Sequence, residues 1–231
     1  MNIDLQDRDL RQRDLVPPDK LTNCRALVIG VGAIGRQVAL QLAAMGVVDL
    51  TLVDFDIVDV VNLAPQGYTP EDLGKTKVET TAQMCRRLNP DLVVHTAAER
   101  FRRSSPKTLK CFASTVPARQ LVVFCCVDSI SARALCWQAV KDFAGFFADA
   151  RMSAEVIRIL ASDRPATDAH YPATLFAQDQ AFAGACTAKS TIYTAAVAAG
   201  FMLAQFTRWL RGIAIDRDLL LNLLASELTA E

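Results

Sequence analysis

The stretch ALVIGVGAIGRQVALQLAAMGVVDLTLVDFDIVDVVNL, residues 26–63, constrains the chain more than any other. The apolar run RALVIG meets three glycines, Gly30, Gly32 and Gly35, and an amphipathic pattern, AIGRQVALQLAAMG, follows and closes at Gly46. An apolar run without alternation suits a strand buried on both faces, and the pattern after it suits a helix. G-x-G-x-x-G between the two has a physical meaning at each glycine. The first allows a tight turn, the second lets backbone N–H groups approach phosphate oxygens, and the third lets the helix pack on the strand. The helix N-terminus adds partial positive charge. Gly30, Gly32, Ala33, Ile34 and Gly35 are therefore expected to cradle nucleotide phosphates. A tight turn with no ligand is the plainer alternative.

The same alternation continues along the chain. DLTLVD, DLVVHTAA and QLVVFCCVD have strand character, while LGKTKVETTAQMCRRLN and SARALCWQAVKDF have helical character. Asn89-Pro90 ends the first of these helices, because the residue before proline disfavours the α region. GFFADARM and SAEVIRIL are expected to pair as later strands. A polar loop with prolines spans 161–174, and RDLLLNLLASEL is ambiguous between strand and helix. Residues 4–16 predict an N-terminal helix that Pro17-Pro18 stops. Strands alternating with helices give a Rossmann-like, mostly parallel α/β sheet. The expected organisation is one domain over 1–231: a helical arm at 1–18, a nucleotide-binding core at 24–140, and a part at 141–231 that completes the sheet.

Composition narrows the class. Apolar residues make up 52% and charged residues 22%, which fits a globular chain. Lysine plus arginine balances aspartate plus glutamate at 25 each, so net charge suggests no nucleic acid partner. The seven cysteines, at 24, 85, 111, 125, 126, 136 and 186, form no Cys-x-x-Cys pair. With a highly charged start, they are expected to be free thiols in a reducing cytoplasm. The apolar segment 190–207 contains Ser190, Gln205 and many alanines, which suits a buried helix better than a membrane span.

The residues after the second strand discriminate between nucleotides. Asp54 lies 24 residues after Gly30 and can accept ribose hydroxyls in a dehydrogenase or an ATP enzyme alike. Then come Asp56, Asn62, Gln66, Gly74, Lys75 and Lys77. A redox enzyme has no obvious use for two lysines here, whereas an ATP enzyme uses lysine to neutralise phosphate charge. Asp128 ends the strand QLVVFCCVD, where open parallel sheets bind ligands. It can hold a magnesium ion that bridges phosphates, or cap the next helix. A nicotinamide- or flavin-dependent oxidoreductase is the competing reading.

RDLRQ (Arg8, Arg11, Gln12), GVGAIG, DFD, NLAPQ, GKTK and VDS, in that order, resemble the ThiF-type adenylylating enzymes. That family includes the activators of sulfur-carrier proteins and the adenylation domains of ubiquitin-activating enzymes. The resemblance spans roughly residues 8–140 and implies ATP and Mg2+. It implies that Asp54 holds the ribose, that Asn62, Lys77 and Asp128 handle the triphosphate and metal, and that Lys75 stands close by. Arg11 would reach the phosphates from a neighbouring subunit, which implies a homodimer. The partner would be a small ubiquitin-like or sulfur-carrier protein, its C-terminal glycine carboxylate joined to AMP. The sequence departs from the pattern at Pro65, where Asn-Leu-x-Arg-Gln has arginine; one phosphate-contacting cation is missing, Arg36 and Lys75 are the candidates to replace it, and a catalytically degenerate module is a third reading.

Cys186 lies in AFAGACTAKST, near an expected helix N-terminus and three residues before Lys189. Both features favour thiolate, so Cys186 is a candidate acceptor for a thioester or persulfide. A small packing residue is the alternative. Cys125 and Cys126 are expected in the core, and His95 and His170 stand too isolated in sequence to suggest a metal site.

Overall fold

The computed structural model describes residues 8–109, 120–176 and 190–231. In chain order the regular elements are α1 (Pro18–Leu21), β1 (Cys24–Ile29), α2 (Ala33–Met45), β2 (Asp49–Val53), α3 (Leu63–Gln66), α4 (Lys77–Leu88), β3 (Val93–Ala97), α5 (Ser105–Thr108), β4 (Gln120–Cys125), α6 (Ile130–Val140), β5 (Ala144–Ser153), β6 (Val156–Ser162), α7 (His170–Ala173), α8 (Ile192–Arg211), β7 (Asp218–Asn222) and β8 (Glu227–Ala230). Eight strands form one sheet in the order β3-β2-β1-β4-β5-β6-β7-β8. The pairs from β3 to β5 are parallel, and those from β5 to β8 are antiparallel. This is the Rossmann-like α/β architecture that the alternation predicts.

Burial explains the arrangement. Every residue of β1 and β2 is buried, as strands covered on both faces must be. Ala26 and Val28 face the side covered by α2, α4 and α8, while Leu27 and Ile29 face the side covered by α6 and Tyr171. On the first side Phe206 of α8 meets Phe124 edge-on, with centroids 5.6 Å apart. On the second, Trp137 packs against Phe147 and Tyr171 at 4.9 and 4.5 Å. The alanine-rich segment is α8, started by the Thr191 hydroxyl and ended by Gly212 at φ 73. Its Ala195, Ala198 and Ala199 are fully buried in the core shared with α2. Among the described residues, no helix is long and apolar enough to cross a membrane.

Several expectations change. Residues 8–16 form turns rather than a regular helix, and Pro17 and Pro18 begin α1 instead of stopping a longer one. Proline at the first helical position loses no intrahelical hydrogen bond. Helix α4 starts at Lys77, later than its pattern suggests, because Gly74 adopts φ 78 and Thr76 caps the helix. The loop at 161–174 holds a short 3-10 turn, Pro165–Thr167, and α7. The ambiguous C-terminal segment is the hairpin β7–β8.

Candidate nucleotide site

The glycine turn joins β1 to α2 at the carboxyl edge of the parallel strands. Gly30 has φ 87, which an L side chain rarely adopts, and a Cβ there would lie 2.7 Å from the Cys126 carbonyl oxygen. A Cβ at Gly35 would lie 1.8 Å from the Gly30 carbonyl oxygen, so this glycine lets the helix sit on the turn. Gly32 is different: among the described residues, no atom lies within 4 Å of a Cβ built there. It is the N-cap of α2, supplies no side-chain cap, and no acidic residue stands in the first turn. The N–H groups that open α2, those of Ala33, Ile34 and Gly35 among them, therefore border open space with positive polarity.

Asp54 follows β2 directly and is buried. Its Oδ2 accepts the Val31 N–H at 2.6 Å, and its Oδ1 accepts the Asp56 N–H at 2.8 Å. The carboxylate thus ties the end of β2 to the glycine turn, with an acceptor lone pair left on each oxygen. Beyond it the chain makes an excursion before α4 and β3. Ile57 and Thr76 form an antiparallel bridge, and Val58 N–H bonds Lys75 O at 2.8 Å. This pairing brings the start of α4 back to the end of β2. Lys77 is 5% exposed, and its Nζ donates to Asp56 Oδ2 at 2.9 Å. Lys75, two residues earlier, is exposed.

Asn62 and α3 lie inside the same excursion. Asn62 Oδ1 accepts the Asp59 N–H at 3.0 Å, closing a capping box over the 3-10 turn Val60–Asn62. Pro65 falls in the first turn of α3, where its missing N–H breaks no helical bond. Gln66 ends α3, and its Oε1 is buried with no hydrogen-bond partner. That is an acceptor without a donor.

Asp128 follows β4 and is exposed. It does not cap the next helix. Ser129 does, its hydroxyl accepting the Ala132 N–H at 3.2 Å. A buried ionic cluster lies behind this strand end. Asp149 is fully buried and accepts from Arg133 at 3.2 Å, from Arg151 at 3.0 Å and from the Tyr171 hydroxyl at 3.2 Å. Arg133 also donates to the Val127 carbonyl, which fixes the backbone just before Asp128. Arg151 donates to Thr174 O and Oγ1, both at 2.9 Å. Burial, with the Asp149 charge adding, pushes the Tyr171 phenol far above its ordinary range. Among the described residues, no group of three or more His, Cys, Asp or Glu side chains could hold a metal ion.

Arg11 lies elsewhere. Arg8 NH2 donates to Ala43 O at 2.7 Å, and Gln12 Nε2 donates to Met45 O at 3.1 Å. These bonds anchor the N-terminal segment at the far end of α2, about 18 Å of helix from the glycine turn. Arg11 is exposed there, so its own chain does not bring it to the turn. Cys186 and Lys189 lie outside the described residues. Cys125 is fully buried, and its hydrogen bond with Cys136, with burial adding, pushes its thiol well up. Cys126 is only half-buried. His170 is not isolated: its Nε2 lies 3.0 Å from Asp218 Oδ2, and Arg158 grips the same carboxylate at 2.6 Å.

The sheet, its switch from parallel to antiparallel strands and the glycine turn define a Rossmann-like protein with a G-x-G-x-x-G βα turn. The sequence matches the model of the ThiF family over residues 7–227. The chain belongs to that family. It is 32% identical over 125 residues to the molybdopterin-synthase adenylyltransferase of Salmonella typhimurium, covering 54% of this chain and 47% of that protein. It is 34% identical over 115 residues to the sulfur carrier protein ThiS adenylyltransferase of Escherichia coli, covering 49% and 43%. Ubiquitin-like modifier-activating enzyme 5 of Drosophila mojavensis is 28% identical over 122 residues, covering 50% and 30%. The chain thus spans less than half the length of these curated relatives. Among solved structures, PaaA superposes with a TM-score of 0.74 at 19% identity, covering 97% of this chain and 68% of that one. E. coli MccB with MccA-N7isoASN gives 0.73 at 17%, covering 94% and 66%. At such identities the likeness is one of fold.

Proposed function

We propose that this chain is an ATP-dependent adenylyltransferase. Its substrate is the C-terminal glycine carboxylate of a small ubiquitin-like or sulfur-carrier protein, which it joins to AMP. The observation that carries the reading is Lys77, a lysine buried at the first position of α4 and folded back beneath the end of β2. A cation there serves a polyphosphate, and a hydride-transfer cofactor has no need of it. The names of the adenylyltransferase relatives point the same way.

The residues present fit a nucleotide triphosphate. Open space beside Gly32 admits phosphate oxygens to the N–H groups that start α2. Asp54 accepts the ribose hydroxyls on its remaining lone pairs. Gln66 Oε1 is an acceptor that needs a donor. Asn62 lies in the same loop, and Lys75 at its mouth adds positive potential. Lys77 exchanges Asp56 for a phosphate oxygen, and the half-exposed Asp56 turns to solvent or the nucleotide. Asp128 is the residue whose carboxylate would hold Mg2+. When bound, the ion screens charge on the phosphates.

In the reaction the carrier carboxylate attacks the α-phosphorus. A new P–O bond forms, the bond to the β-phosphate oxygen breaks, and pyrophosphate leaves with the electron pair. Holding two anions together is the main demand on the protein, and the clustered cations meet it. In a homodimer Arg11 of a second copy reaches this site. Phe55, Ile57, Val60 and Val61 are half or more exposed along the excursion, an apolar strip that suits a protein contact. The Cys186 thiolate then attacks the acyl carbon, a C–S bond replaces the bond to the phosphate oxygen, and AMP leaves.

Pyrophosphate exchange into ATP, measured with a Gly-Gly-ended carrier, tests the reading. Exchange that Lys77→Ala and Asp128→Ala abolish supports it. Dinucleotide binding without exchange makes the chain a redox protein, and ATP binding without exchange makes it a degenerate module. A reductant-sensitive conjugate that survives Cys186→Ala removes the acceptor role alone.

A further inference from the structure

Arg36 follows the third glycine and is 3% exposed. Its NH1 donates to Thr81 Oγ1 and its NH2 to Gly67 O, both at 3.1 Å. Its guanidinium lies over the Tyr68 ring, 4.2 Å from the centroid. Each of these partners is neutral. Among the described residues no carboxylate stands within 4.0 Å of Arg36, and its Nε is buried with no hydrogen-bond partner. The other deeply buried arginines contrast with it: Arg25 pairs with Asp49, and Arg133 with Asp149. A guanidinium does not shed its proton in a protein. The folded chain therefore holds a permanent positive charge in its interior with no carboxylate in direct contact.

Its position gives that charge a use. The Tyr68 hydroxyl donates to the Val31 carbonyl at 2.9 Å, between the first two glycines. Val31 N–H in turn bonds Asp54. Arg36 thus sits directly behind the glycine turn, one stacked ring away. Asp54 and Asp72 act on Tyr68, and the Arg36 charge also reaches Asp72, helping to hold its carboxyl low. Asp54 is held by two backbone N–H groups, and Asp72 by the N–H and hydroxyl of Thr69. Helix α3, which Arg36 grips through Gly67, carries no cation of its own.

We propose that Arg36 is the built-in counter-charge for the polyphosphate, a specificity-determining residue that acts through the glycine turn without touching the nucleotide. It favours ligands in proportion to their negative charge. The proposal rests on the reading above, that this turn takes ATP.

Equilibrium binding of adenosine, AMP, ADP, ATP and inorganic pyrophosphate, without metal, separates the possibilities. Arg36→Gln keeps N–H donors for Gly67 and Thr81 but loses the charge, and Arg36→Lys keeps the charge. One charge pair at roughly 10 Å and an effective dielectric of about 20 changes affinity about tenfold. Arg36→Gln should therefore lose about tenfold for ATP and pyrophosphate, less for AMP, and under twofold for adenosine. Arg36→Lys should restore the gradient. An equal loss for all five ligands would mean a structural role and overturn the proposal, as would an unchanged ATP affinity. A wild-type protein that binds none of the five sinks the ATP reading itself, and the proposal with it.

Discussion

Two glycines three residues apart separate folding from ligand binding. A Cβ at Gly35 would stand 1.8 Å from a backbone oxygen, 1.2 Å inside the 3.0 Å that real Cβ contacts keep. The offending atom is Gly30 O, and Gly30 is itself fixed at φ 87 against the Cys126 carbonyl. Relief requires moving α2 off β1, so Gly35→Ala should cost about 3 kcal/mol or more. For a chain of this length that lowers Tm by roughly 6–12 °C. Gly32 has φ −81 and open space, so Gly32→Ala fits and restricts the unfolded chain. It should change stability by less than about 1 kcal/mol, because the restricted unfolded chain offsets alanine's poorer N-capping. Its methyl group would occupy the approach to the first N–H groups of α2, and ATP affinity should fall at least ~10-fold. Calorimetric melting with and without ATP reads both effects. Gly35→Ala melting with the wild type would refute the packing reasoning. Gly32→Ala binding ATP as the wild type does would refute the phosphate approach.

Asp149→Ala strands Arg133 and Arg151 in the interior, and should cost about 3–5 kcal/mol in urea unfolding. Burial pushes the Cys24 and Cys85 thiols and the Tyr68 phenol up to about 12. Their folded forms hold protons more tightly, so this stability is complete below about pH 9 and lost as pH rises toward 12. Asp72 and Asp218 move the other way. Burial alone would raise them, but hydrogen bonds from Thr69, and from Arg158 and His170, prevail. Their stability is present above about pH 4 and lost as pH falls below it, which melting curves across both windows will show. A disulfide reagent at pH 8 should leave Cys24, Cys85 and Cys125 unmodified until the chain unfolds. Labelling of these three in the native protein as fast as in urea would contradict the burial argument.

Much of the fold was legible because local pattern and tertiary role agree. RALVIG and DLTLVD are apolar throughout, and each becomes a strand buried on both faces. The glycine spacing located the turn because two of its three glycines are forced by backbone approach. The N-terminal arm misled because its leucine spacing suits a helix, whereas long-range bonds from Arg8 and Gln12 to the end of α2 decide its path. RDLLLNLLASEL was unreadable because an edge hairpin exposes alternate leucines, and the turn depends on Ser226 at φ 57. Lys77 and Asp56 were legible as members of one ordered polar series, and the fold pairs them. Asp149 and Arg151 were not, since DARMS looks like an ordinary strand. Only the pairing of β4 with β5 brings Asp149 against Arg133. Arg36 was legible as a candidate to replace the arginine lost at Pro65, but not its burial against Tyr68, Thr81 and Gly67, which depends on packing.

The most direct test of the central claim is the mass of the carrier after incubation with this chain, ATP and Mg2+. A Gly-Gly-ended carrier should gain AMP on its C-terminal carboxylate as pyrophosphate is released, and Lys77→Ala should prevent both. An unmodified carrier with ADP and phosphate as products, or a chain that ignores ATP and binds a redox dinucleotide, would contradict it.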